Sequence, residues 1–87
     1  MNELITNHEK LHTTELGVVR IKRNLDLTSD DVVGWCREKV KVADDIVRRG
    51  KNWYVYARDV VITVNAHSFT IITAHKMKTN YKENNKC

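Results

Sequence analysis

The sequence contains no proline, and only three of its 87 residues are glycine. That excludes collagen-like repeats and Pro/Gly-rich linkers. Its two cysteines, Cys36 and Cys87, are too few for a disulfide framework. They read as reduced thiols of a cytoplasmic protein, Cys36 within a helical stretch and Cys87 at the end of a polar tail. No apolar run approaches the ~18 residues that would span a bilayer, so no membrane association is expected. The opening Met1–Asn7 lacks the basic and apolar regions of a secretory signal.

What remains is an ordinary globular balance, 41% hydrophobic and 30% charged. The length leaves room for one domain. That domain is expected over residues 1–76, followed by a polar, lysine-rich tail over 77–87. The net charge of +4 hides an asymmetry: residues 1–45 hold seven basic and nine acidic side chains, whereas residues 46–87 hold eight basic and two acidic. A basic half attracts phosphate or an acidic protein surface, and salt weakens that attraction. The same charges also serve as a plain solvated surface.

Hydrophobic spacing predicts helices in the first half. Leu4, Ile5, His8, Leu11 and His12 share one helical face over Asn2–His12. Thr13-Thr14 breaks that segment and caps a second helix over Glu15–Asn24, with Leu16, Val18, Val19, Ile21 and Leu25 toward one side. A third begins at Thr28-Ser29-Asp30-Asp31, with Thr28 as its cap. Its stripe is Val32, Val33, Trp35, Cys36 and Val40.

The period then changes to two. Ile46–Arg49, Trp53–Ala57, Val60–Val64 and Phe69–Ala74 read as strands, separated by Gly50-Lys51-Asn52, Arg58-Asp59 and Asn65–Ser68. Connections this short favour an antiparallel meander, because a parallel crossover needs a dozen or more residues. In the last strand, Phe69, Ile71 and Thr73 are expected on one face. The fold class is therefore α+β: two or three N-terminal helices packed on one face of a small antiparallel sheet of about four strands. The sheet's edges are natural places for a homodimer to form.

The stretches Leu11-His12-Thr13-Thr14-Glu15-Leu16-Gly17, Arg20–Leu25, Gly50–Val55 and Ile62–Asn65 through Ile71–Lys76 resemble a small bacterial domain family of unknown function over roughly residues 11–76. The resemblance implies a compact bacterial or mobile-element domain and carries no activity with it. The order of elements is also similar to the RelE and colicin-D group of small ribonuclease toxins. That resemblance implies RNA cleavage from a basic sheet face, using residue types present here as Arg48, Arg49, Lys51, Tyr54, Tyr56 and His75.

The basic-aromatic run Arg48–Tyr56 is the main candidate binding site, with Arg48, Arg49, Lys51, Tyr54, Tyr56 and Lys76 as its residues. Cations neutralise phosphates and rings stack on exposed bases. Alternation places Tyr54 and Tyr56 on the outer face and Trp53 and Val55 on the core face. The plainer alternative is that the tyrosines simply shield a small sheet.

His8-Glu9-Lys10-Leu11-His12 fits H-E-x-x-H, a short pattern that arises readily by chance. On a helix, His8 and His12 would share a face and hold a zinc, completed by Glu3, His67 or His75, or by a second subunit. Two histidines on a half-buried helix face explain the spacing equally, and no cofactor is required. No complete catalytic constellation is visible. The expected role is a non-catalytic binding or inhibitor module of anti-CRISPR type, seated on an acidic protein surface, on nucleic acid or on a host nuclease complex. The alternative is a RelE-like ribonuclease toxin.

Overall fold

In the computed structural model, which describes residues 3–77, the helices come first and the sheet follows. A short helix α1 (Glu3–Thr6) leads into a 3-10 turn (His8–Lys10), then α2 (Glu15–Leu25) and α3 (Val32–Lys41). Strands β1 (Asp45–Arg49), β2 (Asn52–Ala57), β3 (Val60–Asn65) and β4 (Ile71–Lys76) pair antiparallel in the order β1-β2-β3-β4. This is the α+β arrangement that the two periodicities imply.

Helix α2 starts where Thr14 accepts a hydrogen bond from the Gly17 N–H at 3.0 Å. It ends on Asp26 in the left-handed region (φ 54°), with Leu27 N–H reaching the Lys22 carbonyl at 3.0 Å. This is the 6→1 bond that closes many helices. Its buried stripe is Gly17, Ile21 and Leu25, at a spacing of four. Leu16 and Val19, expected on that stripe, lie off it and are 66% and 52% exposed. In α3 the stripe is Val32, Cys36 and Val40. Its cap is Asp31, not Thr28: the carboxylate accepts from Gly34 N–H at 3.0 Å. A cap must sit directly before the first helical residue to reach the N–H three positions on, and that residue is Val32.

The expected helix over Asn2–His12 is interrupted. The Asn7 backbone N–H and side-chain amide both donate to the Glu3 carbonyl, at 3.0 and 2.9 Å, and the chain then tightens to three-residue bonds from Lys10 N–H to the Asn7 carbonyl and from Leu11 N–H to the His8 carbonyl. Leu11 turns extended (φ −61°, ψ 135°), and His12 forms a parallel bridge with Thr70. Leu4 and Leu11 still both reach the core. Their seven-residue spacing reported burial correctly but not a continuous helix.

The core lies between the helices and one sheet face. Leu4, Leu11, Ile21, Leu25, Val32, Cys36 and Val40 come from the first half, and Trp53, Val55, Val60, Ile62, Val64, Ile71 and Ala74 from the sheet. Removing one such large aliphatic side chain from water contributes about 1.5–3 kcal/mol. In β4 the phase differs from expectation. A register shift between Thr63 and Val64 sets Ile71 opposite Val64 and Thr73 opposite Thr63. Ile71 and Ala74 therefore both face the core although three residues apart, and Thr73 faces the other way. A bulge inserts one unpaired residue and so reverses the alternation. Phe69 precedes the strand at φ 60°, in the turn that binds its N–H to the Asn65 carbonyl at 2.9 Å.

The two edges of the sheet are treated differently. Along β4, Ile71 N–H donates to the His12 carbonyl at 2.7 Å and Thr13 Oγ1 donates to the Ile71 carbonyl at 2.8 Å. Asn24 Nδ2 donates to the Ala74 carbonyl at 3.2 Å. That edge is closed by the segment before α2 and by α2 itself. Along β1 no further strand pairs among the described residues.

Candidate functional site

Strand alternation assigns two chemically distinct faces. Trp53, Val55 and Ala57 of β2 are buried toward the helices, and Asn52, Tyr54 and Tyr56 point the other way, half-buried. Register extends that outer face: Tyr54 stands between Val47 and Thr63, and Tyr56 between Asp45 and Val61. Thr73 and His75 of β4 complete it, opposite Thr63 and Val61. Val61 and Thr63 are 7% and 8% exposed although they belong to this face. The described helices reach it only at the β4 edge, where Asn24 of α2 donates to the Thr73 hydroxyl at 3.4 Å; the helical core residues pack on the other side. The result is a sheet face with two tyrosines and two valines at its centre, and with Asp45, Arg49 and His75 as its ionisable groups besides the tyrosines.

The six residues expected to form one basic surface are divided by this geometry. Arg49, Tyr54 and Tyr56 share the outer face. Arg48 lies directly opposite Trp53 on the helix-bearing side, its guanidinium 5.6 Å from the ring centroid and its Nε donating to the Gly50 carbonyl at 2.8 Å. Lys51 sits in the β1–β2 connection. Lys76 is opposite Val60, on the helix-bearing side at the other end of the sheet. Of the eight cations in the basic half, Lys78, Lys82 and Lys86 lie outside the described residues, as do Cys87 and most of the expected tail.

The interleaving of basic and aromatic residues has a local cause. Arg49 lies 6.0 Å from the Tyr54 ring, Lys39 5.1 Å from Trp35, and Lys10 5.6 Å from Phe69. With Arg48 over Trp53, four cations stand over four rings of the same chain. Each such contact contributes about 0.5–1 kcal/mol where exposed. In β1 and β2 the hairpin register sets Arg48 over Trp53 on one side of the sheet and Arg49 beside Tyr54 on the other.

The proposed pairing of His8 and His12 rested on a continuous helix, and that helix ends at Thr6. His8 opens the 3-10 turn, with Nδ1 donating to the Ile5 carbonyl at 2.9 Å. His12 Nδ1 donates to the Lys10 carbonyl at 3.0 Å, which in the neutral ring leaves Nε2 to accept from the Thr70 hydroxyl at 3.1 Å. Among the described residues, no group of three His, Cys, Asp or Glu side chains converges as metal ligands. His67 lies in the β3–β4 turn and His75 in β4 on the outer face.

Cys36 is fully buried in α3, and burial pushes its thiol up to about 12. A thiol held neutral in this way is a packing group and a poor nucleophile. Arg37, next to it, donates from Nη2 to the Glu9 and Leu11 carbonyls at 3.2 and 3.1 Å. It ties the turn before α2 to α3, a role that sequence reading did not assign.

Sequence reading also missed Val47, Val61 and Thr63 as members of the outer face. The signal was present in Val60–Val64, which is apolar at nearly every position. A strand covered on one side alone alternates; a continuous apolar run marks a second face that is also shielded.

These features define a small α+β domain with helices on one side of an antiparallel meander and, among the described residues, no second layer on the other. The chain belongs to the family described as protein of unknown function DUF3781, whose model matches residues 5–75. No curated protein and no solved structure matches it, and no RelE-like match accompanies the family assignment.

Proposed function

We propose that this protein is a non-catalytic binding module that docks the outer face of its sheet, centred on Tyr54 and Tyr56, on a partner protein. The observation that carries the reading is the sidedness of the sheet. The helices pack on one face, and the other presents Val47, Tyr54, Tyr56 and Val61 in register without a described layer above them. Tyrosines offer large contact area with a polar tip, and they are enriched in protein interfaces. Among the described residues the face carries one aspartate, one arginine and one histidine, a balance that suits a protein surface better than a polyphosphate chain. An inhibitor of anti-CRISPR type, seated on a host nuclease complex, is the specific form of this role expected from the sequence.

A pull-down from the native host tests the reading. Retention of a partner protein should fall at least tenfold for Tyr54→Ser/Tyr56→Ser, persist for Lys51→Ala/Lys76→Ala, and change little with added salt. Loss with the lysine pair and a steep salt dependence would instead favour a nucleic-acid partner. For the ribonuclease alternative, wild type and Arg49→Ala/Lys51→Ala are compared for growth arrest and RNA cleavage. Arrest and cleavage by wild type alone would overturn the binding-module reading.

A further inference from the structure

We infer that two copies of this chain pair through their β1 strands, antiparallel about Val47, to form one continuous eight-stranded sheet. The inference does not depend on the docking role of the outer face. It starts from the difference between the edges: β4 is closed by His12, Thr13 and Asn24, whereas β1 has no neighbour beyond it among the described residues.

Which backbone groups β1 presents follows from its register. Arg49 pairs with Asn52 across a two-residue connection, and the pair that closes such a hairpin exchanges both hydrogen bonds. Asp45, Val47 and Arg49 therefore bond inward to β2, and Ile46 and Arg48 turn their N–H and C=O groups outward. The Ile46 N–H bears this out: it bonds the Asp45 carboxylate at 2.9 Å instead of β2.

A two-fold axis through Val47 sets Ile46 opposite Arg48 of the second copy, twice. Those are the residues with outward backbone groups, so the register supplies two hydrogen-bonded pairs and four bonds. It also sets Asp45 opposite Arg49 of the second copy, again twice, with Val47 meeting its own counterpart between them. The sequence Asp45-Ile46-Val47-Arg48-Arg49 is thus complementary to itself in both backbone parity and charge. An isologous contact requires both. The charged pairs fall at non-hydrogen-bonded positions, where side chains stand closest. On dimerisation the Ile46 N–H passes from the Asp45 carboxylate to the second copy's Arg48 carbonyl, and the carboxylate turns to the second copy's Arg49. The two outer faces become one surface.

Light scattering behind size exclusion, over a concentration series, provides the test. Wild type should approach twice its 10.2 kDa. Asp45→Arg and Arg49→Asp should each remain at monomer mass, because each places like charges opposite one another. Asp45→Arg/Arg49→Asp should restore the dimer, since the swap re-creates opposite pairs only between two copies. A second measurement does not depend on disrupting anything. In a Cys87→Ser background, Val47→Cys sits on the axis at a spacing a disulfide can bridge, and mild oxidation should give a covalent dimer. Tyr56→Cys in the same background should not. A monomeric wild type at every concentration, no rescue by the swapped pair in folded protein, or no cross-link at position 47 would each overturn the pairing.

Discussion

Burial has taken the Cys36 thiol from an ordinary 9.0 to about 12, through loss of solvation for the thiolate. Between those values the unfolded chain releases a proton that the folded chain keeps. Stability from this residue is complete below pH 9 and is lost as pH rises toward 12, at no more than about 1.4 kcal/mol per pH unit. Urea midpoints of wild type and Cys36→Ala should differ by a constant amount below pH 9 and converge above it. A gap that stays fixed would place the thiolate in water. Backbone conformation gives a second residue-scale prediction. Gly50 (φ 58°) and Arg58 (φ 61°) each open a two-residue hairpin connection in the left-handed region. Only glycine occupies that region without steric cost. The Arg58 N–H bonds Asp44 Oδ2 at 2.8 Å, a backbone contact that glycine keeps. Arg58→Gly should therefore stabilise the protein by about 0.5–1 kcal/mol, and Gly50→Ala should destabilise it by about 1 kcal/mol or more. Phe69 has the same sign of φ but a different balance. Its ring lies 5.6 Å from that of Trp53, so Phe69→Gly should lose more in packing than it relieves in strain.

At the scale of elements, the closed β4 edge depends on a few side chains. Asn24 donates to the Ala74 carbonyl and Thr13 to the Ile71 carbonyl. Asn24→Ala should cost about 1 kcal/mol and speed hydrogen exchange at β4 amides more than at β2 amides. Equal acceleration in both strands would mean that the bond does not act on the edge. The elements also separate what a sequence discloses from what it withholds. Trp53, Val55 and Ala57 against Tyr54 and Tyr56 is a period of two, and both faces followed from it directly. The bulge in β4 was hidden because it is a property of pairing. Nothing within Ile71–Lys76 marks an extra residue; only the register against Thr63 and Val64 does. The interruption after Thr6 was hidden for a related reason. Leu4 and Leu11 preserve helical spacing, while the sheet edge at Thr70 captures His12 from a distance of 58 residues in the chain. The candidate site was less legible still, because a run of adjacent cations says nothing about the face each one occupies. Arg48 and Arg49 are neighbours in sequence and stand on opposite sides of the sheet.

The whole molecule is organised by the inequality of its two sheet faces, and stability measurements can be set against binding to test it. A domain of this size has about 4–13 kcal/mol to lose. Trp53 is 4% exposed and packs among the helices, so Trp53→Ala should remove about 3–5 kcal/mol and leave a large part of the population unfolded on warming. Tyr54 belongs to the same strand one residue further on, half-buried on the face opposite the helical core. Tyr54→Ser should cost about 1 kcal/mol or less in the urea midpoint. The contrast matters because stability alone would favour polar, charged positions on such a face, as in other half-solvated antiparallel sheets. Val47, Tyr54, Tyr56 and Val61 occupy it instead. If Tyr54→Ser/Tyr56→Ser folds with a near-native midpoint and loses its partner, those side chains serve recognition. If the pair costs as much as Trp53→Ala, they serve the fold, and the outer face is a second core.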